Sequence, residues 1–168
     1  IDPGQATVRE RGLLSPADSS ETVTGTITVR VAGGLTSITV GGTTLTSDQL
    51  AGLAGTPQSI NTGEGTLTLT GYDAATGRLA YSYTLNGPVD QPGATATTDS
   101  IAITVTSPGG TASTSLDILI VDSVPVAQPD SRTISEDTVP NTLSGNVFDN
   151  DDIGADVTAN PVTSTGGT

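Results

Sequence analysis

The chain has 168 residues, a net charge of −13 and a pI near 4.1, and it contains no Cys, His, Lys, Met or Trp. That composition excludes disulfides, the usual His/Cys zinc sites, Ser-His and Cys-His nucleophiles, Ser-Lys dyads, Schiff bases and lysine-to-asparagine crosslinks. The only cations are Arg9, Arg11, Arg30, Arg78 and Arg132, so nucleic acid and anionic membrane surfaces would be repelled.

Acidic, aromatic-poor chains are often disordered, but long alternating stretches of β-branched residues oppose that reading here. From Thr22 to Val31, the residues Val23, Ile27, Val29 and Val31 share one face, opposite Thr24, Thr26, Thr28 and Arg30. Ser37 to Val40 continues the pattern. Ser47 to Leu53 breaks it, because Leu50 and Leu53 fall at helical spacing; Ser47 is the expected cap, Asp48 suits the first turn, and Gly55 is the expected stop. Alternation resumes with Leu67 and Leu69 inward, then Leu79, Tyr81, Tyr83 and Leu85. Asp73 to Gly77 between them reads as a tight turn, with Asp73 as turn former. Ile101, Ile103 and Val105 predict a further strand, Ser107-Pro-Gly-Gly110 a hairpin, and Leu116, Ile118 and Ile120 the strand that follows. About seven short strands with regular turns predict an all-β, antiparallel, immunoglobulin-like β-sandwich; an antiparallel barrel is the alternative.

The two ends of the chain echo one another. Ala6-Thr-Val-Arg-Glu10 resembles Ser131-Arg-Thr-Ile-Ser-Glu136, each after a proline (Pro3, Pro129), and Val23-Thr-Gly-Thr-Ile27 resembles Leu143-Ser-Gly-Asn-Val147. A repeat of about 126 residues is implied, so residues 1–123 are expected to form one sandwich and 124–168 a linker with the opening strands of the next. Pro125 and Pro129 make that linker semi-rigid. No apolar run approaches a membrane span, no signal peptide opens the chain, and its first residues read as the middle of a longer protein.

The acids carry the chemistry. Asp149, Asp151 and Asp156, with Asn150, Asp152 and the flexible Gly154 among them, can wrap oxygens around one hard cation, although the spacing is not that of an EF-hand. A solvated acidic turn would use the same residues. Asp122, Asp130, Glu136 and Asp137 crowd the linker and repel one another unless a cation lies between them. Asp99, ahead of the Ile101 strand, and Glu10, the counterpart of Glu136, are the related candidates. Asp122 and Glu136 are expected to share an ion that sets the angle between repeats. Carboxylate pairs also serve glycosidases, but sugar sites favour aromatic platforms and this chain has almost none, so no enzyme is expected.

Gly41-Gly-Thr-Thr-Leu-Thr46, Leu50-Ala-Gly-Leu-Ala-Gly-Thr-Pro-Gln58, the run from Ile60 to Gly77, Tyr81-Ser-Tyr-Thr-Leu85, Asp99-Ser-Ile-Ala-Ile-Thr-Val105 and Leu116-Asp-Ile-Leu-Ile-Val-Asp122 together resemble the repeat module of giant RTX adhesins. Pro125 to Asp130, Glu136-Asp137 and Gly145 to Asp152 are similar to the opening of the next module. The resemblance implies type I secretion, an extracellular position at the bacterial surface, neighbouring repeats of the same chain as partners, Ca2+ as the bound ion, and work as a spacer in biofilm formation or host attachment. A calcium-dependent glycan- or protein-binding module is the alternative. The chain departs from the family where Ser107-Pro-Gly-Gly110 stands in place of an acidic hairpin and Ser123 in place of a second Asp.

Overall fold

The computed structural model describes residues 1–14, 18–91, 95–137, 139, 142 and 144–156. It is an all-β sandwich of two sheets. The strands are β1 (Ala6–Arg9), β2 (Thr22–Thr28), β3 (Ser37–Val40), β4 (Thr43–Thr46), β5 (Gln58–Asn61), β6 (Gly65–Asp73), β7 (Arg78–Leu85), β8 (Ala96–Ser107) and β9 (Gly110–Val121), with one helix, α1 (Ser47–Gly52), between β4 and β5. One sheet has the order β1-β9-β8-β3-β4 and the other β2-β7-β6-β5. The two remain separate rather than closing on one another, which distinguishes the sandwich from the barrel.

Period-two alternation decides which faces meet. Ile27, Val29, Leu67, Leu69, Tyr81, Tyr83, Ile101, Ile103, Ile118 and Ile120 all lie in the core, as their spacing requires. The outward positions are instead threaded by hydroxyls that bond across strands: Thr39 to Thr44 at 2.8 Å, Thr104 to Ser113 at 2.9 Å and Ser59 to Thr68 at 3.1 Å. Apolar residues therefore cement the sheets to one another while threonines tie strands side by side within them.

Turn chemistry fixes the register. Asp73 accepts from the Ala75 N–H at 2.9 Å and the Thr76 hydroxyl at 2.6 Å, so its carboxylate makes the turn and is held below its usual pKa by those bonds. Gly77 ends the turn at φ +70°, where a Cβ would lie 2.0 Å from the Val29 carbonyl oxygen. Helix α1 differs from expectation at both ends. Thr46, not Ser47, is the cap: its hydroxyl accepts from the Gln49 N–H at 3.4 Å while Gln49 Oε1 accepts from the Thr46 N–H at 2.9 Å. The reciprocal pair needs an acceptor three residues on, which Gln49 provides for Thr46 and Leu50 cannot provide for Ser47. The helix ends at Gly52, whose carbonyl receives the N–H groups of Gly55 and Thr56 at 3.0 Å each. Leu50 and Leu53 are both buried, as the spacing predicts.

One pairing is parallel. β1 runs alongside β9 with Ala6 opposite Ile118 and Arg9 opposite Val121. Parallel neighbours cannot be consecutive hairpin strands, and here they are the first and last of the sandwich. Both therefore finish at the same pole of the molecule. Beyond β9 the chain turns back on that pole: Val126 and Asp152 exchange backbone hydrogen bonds at 2.7 and 3.0 Å in an isolated antiparallel bridge.

Ile103 is fully buried, and truncating it should expose how much of the fold rests on inter-sheet packing. Ile103→Ala is expected to lower unfolding free energy by roughly 2–5 kcal/mol through lost burial and a residual cavity. Urea denaturation reads the change directly, and a loss under about 1 kcal/mol would mean that the site collapses around the smaller side chain.

Candidate metal centre

The last register pair of the parallel ladder is Arg9 with Val121, so one step further along the two strands stand Glu10 and Asp122. Neighbouring strands lie about 4.8 Å apart, which sets these two carboxylates side by side. Asp156, from the returning tail, completes the group. One oxygen from each of Glu10, Asp122 and Asp156 lies within 4.8 Å of the others. Three carboxylates from three distant parts of the sequence thus converge on one point at the end of the sandwich, an arrangement that could hold a metal ion.

Glu10 anchors the group. It is wholly buried, at 0% exposure, in the short 3-10 turn that follows β1. Its Oε1 accepts from the Val89 N–H at 2.8 Å and from Gln91 Nε2 at 3.2 Å, both in the connection between β7 and β8. Its Oε2 is buried and has no hydrogen-bond partner among the described residues. A buried carboxylate oxygen without a donor is rare because its desolvation goes unrepaid. Burial is the main reason that the Glu10 pKa is raised; the backbone N–H groups of Val89 and Ser123 pull the other way, and the charges of Asp156 and Asp122 raise it further. Asp156 is raised too, first by desolvation and then by Asp122 and Asp90. A cation among these oxygens would satisfy the orphan and neutralise the repulsion together, so the donors present fit a hard metal ion.

The tail is held in place by contacts of its own. The Ala155 N–H donates to the Ser123 hydroxyl at 2.7 Å, and the Arg11 guanidinium pairs with the Asp152 carboxylate. Gly154 adopts φ +75° with its Cβ direction only 2.4 Å from the Ser123 carbonyl oxygen, so any larger residue would lift the tail away from the linker. Asp152 is held below its usual pKa chiefly by the Arg11 hydrogen bond, with the Gly154 N–H next.

The remaining acids singled out in the sequence are placed elsewhere. Asp99 lies on β8 facing inward, 8% exposed, where its Oδ2 receives the Tyr83 hydroxyl at 2.7 Å and the Thr62 hydroxyl at 2.5 Å. It belongs to an interior polar network, and the Tyr83 pKa is driven up by burial first and by that bond to Asp99 second. Asp151 accepts from the Gln128 N–H at 2.7 Å and so braces the linker. Asp130, Glu136, Asp137 and Asp149 are exposed and outside the cluster. Asp122 meets Glu10 and Asp156 rather than Glu136, because Glu136 lies in a turn beyond the linker whereas Glu10 is carried to Asp122 by the sandwich's own parallel strand. Gln91 went unnoticed in the sequence; the available signal was a polar pair, Asp90-Gln91, set between Pro88 and Pro92 in the approach to a strand.

No family model matches the chain, and no curated protein or solved structure matches it either. Among the described residues no helix is long and apolar enough to cross a membrane.

The raised pKa of Glu10 gives a pH dependence with a definite sign. A carboxyl whose pKa is raised by folding stabilises the fold below its ordinary value, 4.5 for Glu10, and that contribution is lost as the pH climbs through the raised value. Asp156, from its ordinary 3.8, adds in the same sense. In chelator, the melting temperature should therefore fall more steeply between about pH 4 and pH 7 for the native chain than for Glu10→Gln. At neutral pH the variant should melt a few degrees higher, a shift on the scale of about 1 kcal/mol, since an amide at the orphan oxygen's position can donate to Asp122 and Asp156. Parallel pH profiles for the two proteins would show that Glu10 carries no uncompensated charge.

Proposed function

We propose that the chain is a calcium-stiffened extender module of a large bacterial surface adhesin, secreted to the cell exterior, where arrays of such modules hold ligand-binding domains away from the cell. The observation that carries the reading is the convergence of Glu10, Asp122 and Asp156 at the pole where the sandwich hands over to the next segment. The repeat echo and the resemblance of the sequence to adhesin modules support it. Calcium is the favoured ion on chemical grounds. The candidate ligands are all carboxylate oxygens, and calcium accepts six to eight oxygens in loose geometry, whereas magnesium demands near-ideal octahedral geometry. The ion's work is mechanical. It joins the head of the sandwich, the end of its last strand and the tail, and so fixes the angle at which the chain leaves the module.

The alternative, a module that grips a glycan through its calcium, draws less support. Tyr81 and Tyr83 are buried in the core, which leaves Tyr72 and Phe148 as the aromatics with some exposure. Recognition of sugars leans on exposed aromatic faces beside a pocket.

Calcium should raise the melting temperature and hold the tail against the sandwich. At a hundredfold excess over its dissociation constant, an ion bound only by the folded form adds about 2.7 kcal/mol. Small-angle scattering should show a smaller spread of shapes in calcium than in chelator for the native chain, and no such difference for the double variant Asp122→Asn, Asp156→Asn. Identical melting curves with and without calcium would overturn the proposal.

A further inference from the structure

We infer that Gln91 is a ligand of the same ion through its side-chain oxygen, so that the centre clasps four segments of the chain rather than three. The inference rests on the cation reading above and adds a residue that acidic patterning does not reveal.

Four buried side-chain oxygens lack hydrogen-bond partners among the described residues: Ser20 Oγ and Glu21 Oε2 on the segment beside the turn after β1, and Glu10 Oε2 and Gln91 Oε1, whose side chains touch one another. Gln91 is 8% exposed, and its Nε2 already touches the Glu10 carboxylate at 3.2 Å, so its Oε1 is held within one amide's breadth of the acidic group. A buried amide oxygen with no donor carries the full desolvation penalty of an unpaired acceptor. A cation that accepts lone pairs from both Glu10 Oε2 and Gln91 Oε1 would relieve the two penalties together. Amide oxygens are ordinary calcium ligands alongside carboxylates.

The Gln91 amide donates its NH2 to Glu10 Oε1 at 3.2 Å and tempers the charge there, which leaves its oxygen over for a cation. The ion then holds the β7–β8 connection, through Gln91 and through the Val89 N–H on Glu10, to the pole from which the tail departs. Asp90, one residue earlier, adds negative potential at Asp156.

Calcium titrations by calorimetry on the whole chain distinguish a ligand from a mere hydrogen-bond donor, because Gln91→Leu and Gln91→Glu separate the two roles. A ligand role predicts that Gln91→Leu weakens calcium binding about tenfold or more, whereas Gln91→Glu, which keeps an oxygen there and adds a charge, binds as tightly as the native chain or more so. A donor role predicts the opposite for glutamate, since a second carboxylate against Glu10 repels it. Unchanged affinity in Gln91→Leu, or loss of affinity in both variants, overturns the inference while leaving the three-carboxylate site intact. A native chain that takes up no calcium overturns the site itself, and the role of Gln91 with it.

Discussion

The meeting of Glu10 and Asp122 at one end of this molecule depends on the parallel pairing of its first and last strands. Antiparallel neighbours would send Glu10 and Asp122 to opposite ends of the sheet. Parallel ones, in the register that sets Arg9 against Val121, deliver both carboxylates to the same pole one residue past the ladder. The register is itself enforced by packing. Ala6 and Val8 point into the core with Ile118 and Ile120, and a slip of β1 by one residue would turn Ala6 and Val8 outward. The apolar core therefore places two like charges together and keeps one of them dry. Burial of several side chains at about 1.5–3 kcal/mol each is ample to impose a local electrostatic penalty of this kind.

The tail shows why that penalty is useful. Residues 124–156 form no sheet of their own among the described positions; the Val126–Asp152 bridge and the Gln128–Asp151 bond tie them to one another, and the Arg11–Asp152 pair and the Ser123–Ala155 bond tie them to the sandwich. An exposed ion pair and a few hydrogen bonds are individually weak, because water competes for each of them. Glu10, Asp122 and Asp156 oppose this docking when unpartnered and reinforce it when a cation lies between them. A cation there would therefore change the sign of one interaction that bears on a weakly held segment. Ser131 to Glu136, which echo β1 in sequence, are not a strand here. The β1 pattern needs a strand like β9 alongside it, and β9 is already flanked by β1 and β8.

Much of this was legible in the sequence, for a physical reason. Half-buried strands write their register into alternating residue types, so the inward faces from Ile27 to Ile120 follow from spacing alone, and Asp73 announces its turn through its own side chain. Local chemistry also reveals α1, though with the cap misplaced by one residue, because Ser47 and Thr46 are chemically alike and only Gln49 tells them apart. The centre was harder to read. Its acids are individually visible, but which of them meet depends on a pairing between strands at opposite ends of the chain, and no local pattern encodes that. Sequence proximity favours Asp122 with Glu136; the fold brings Glu10 instead. Gln91 is harder still, since an uncharged amide in a loop carries no distinguishing mark until its burial is known.

The same topology bears on mechanical load. Were the chain pulled from its two sides, tension would enter before β1 and leave after β9. Because these strands are parallel neighbours, pulling the start of one against the end of the other slides them past each other, loading all of their shared hydrogen bonds together rather than one at a time. A ladder of only four paired residues is short for that task. Glu10 and Asp122 stand at its far end, directly in the line of slip, and an ion held between them would crosslink the two sliding strands without a covalent bond. A chain that lacks cysteine and lysine has neither disulfides nor isopeptide links for this purpose. The paired carboxylates are the feature of this sequence that could serve in their place, and their position at the end of the sheared ladder is where such a link would carry the most force.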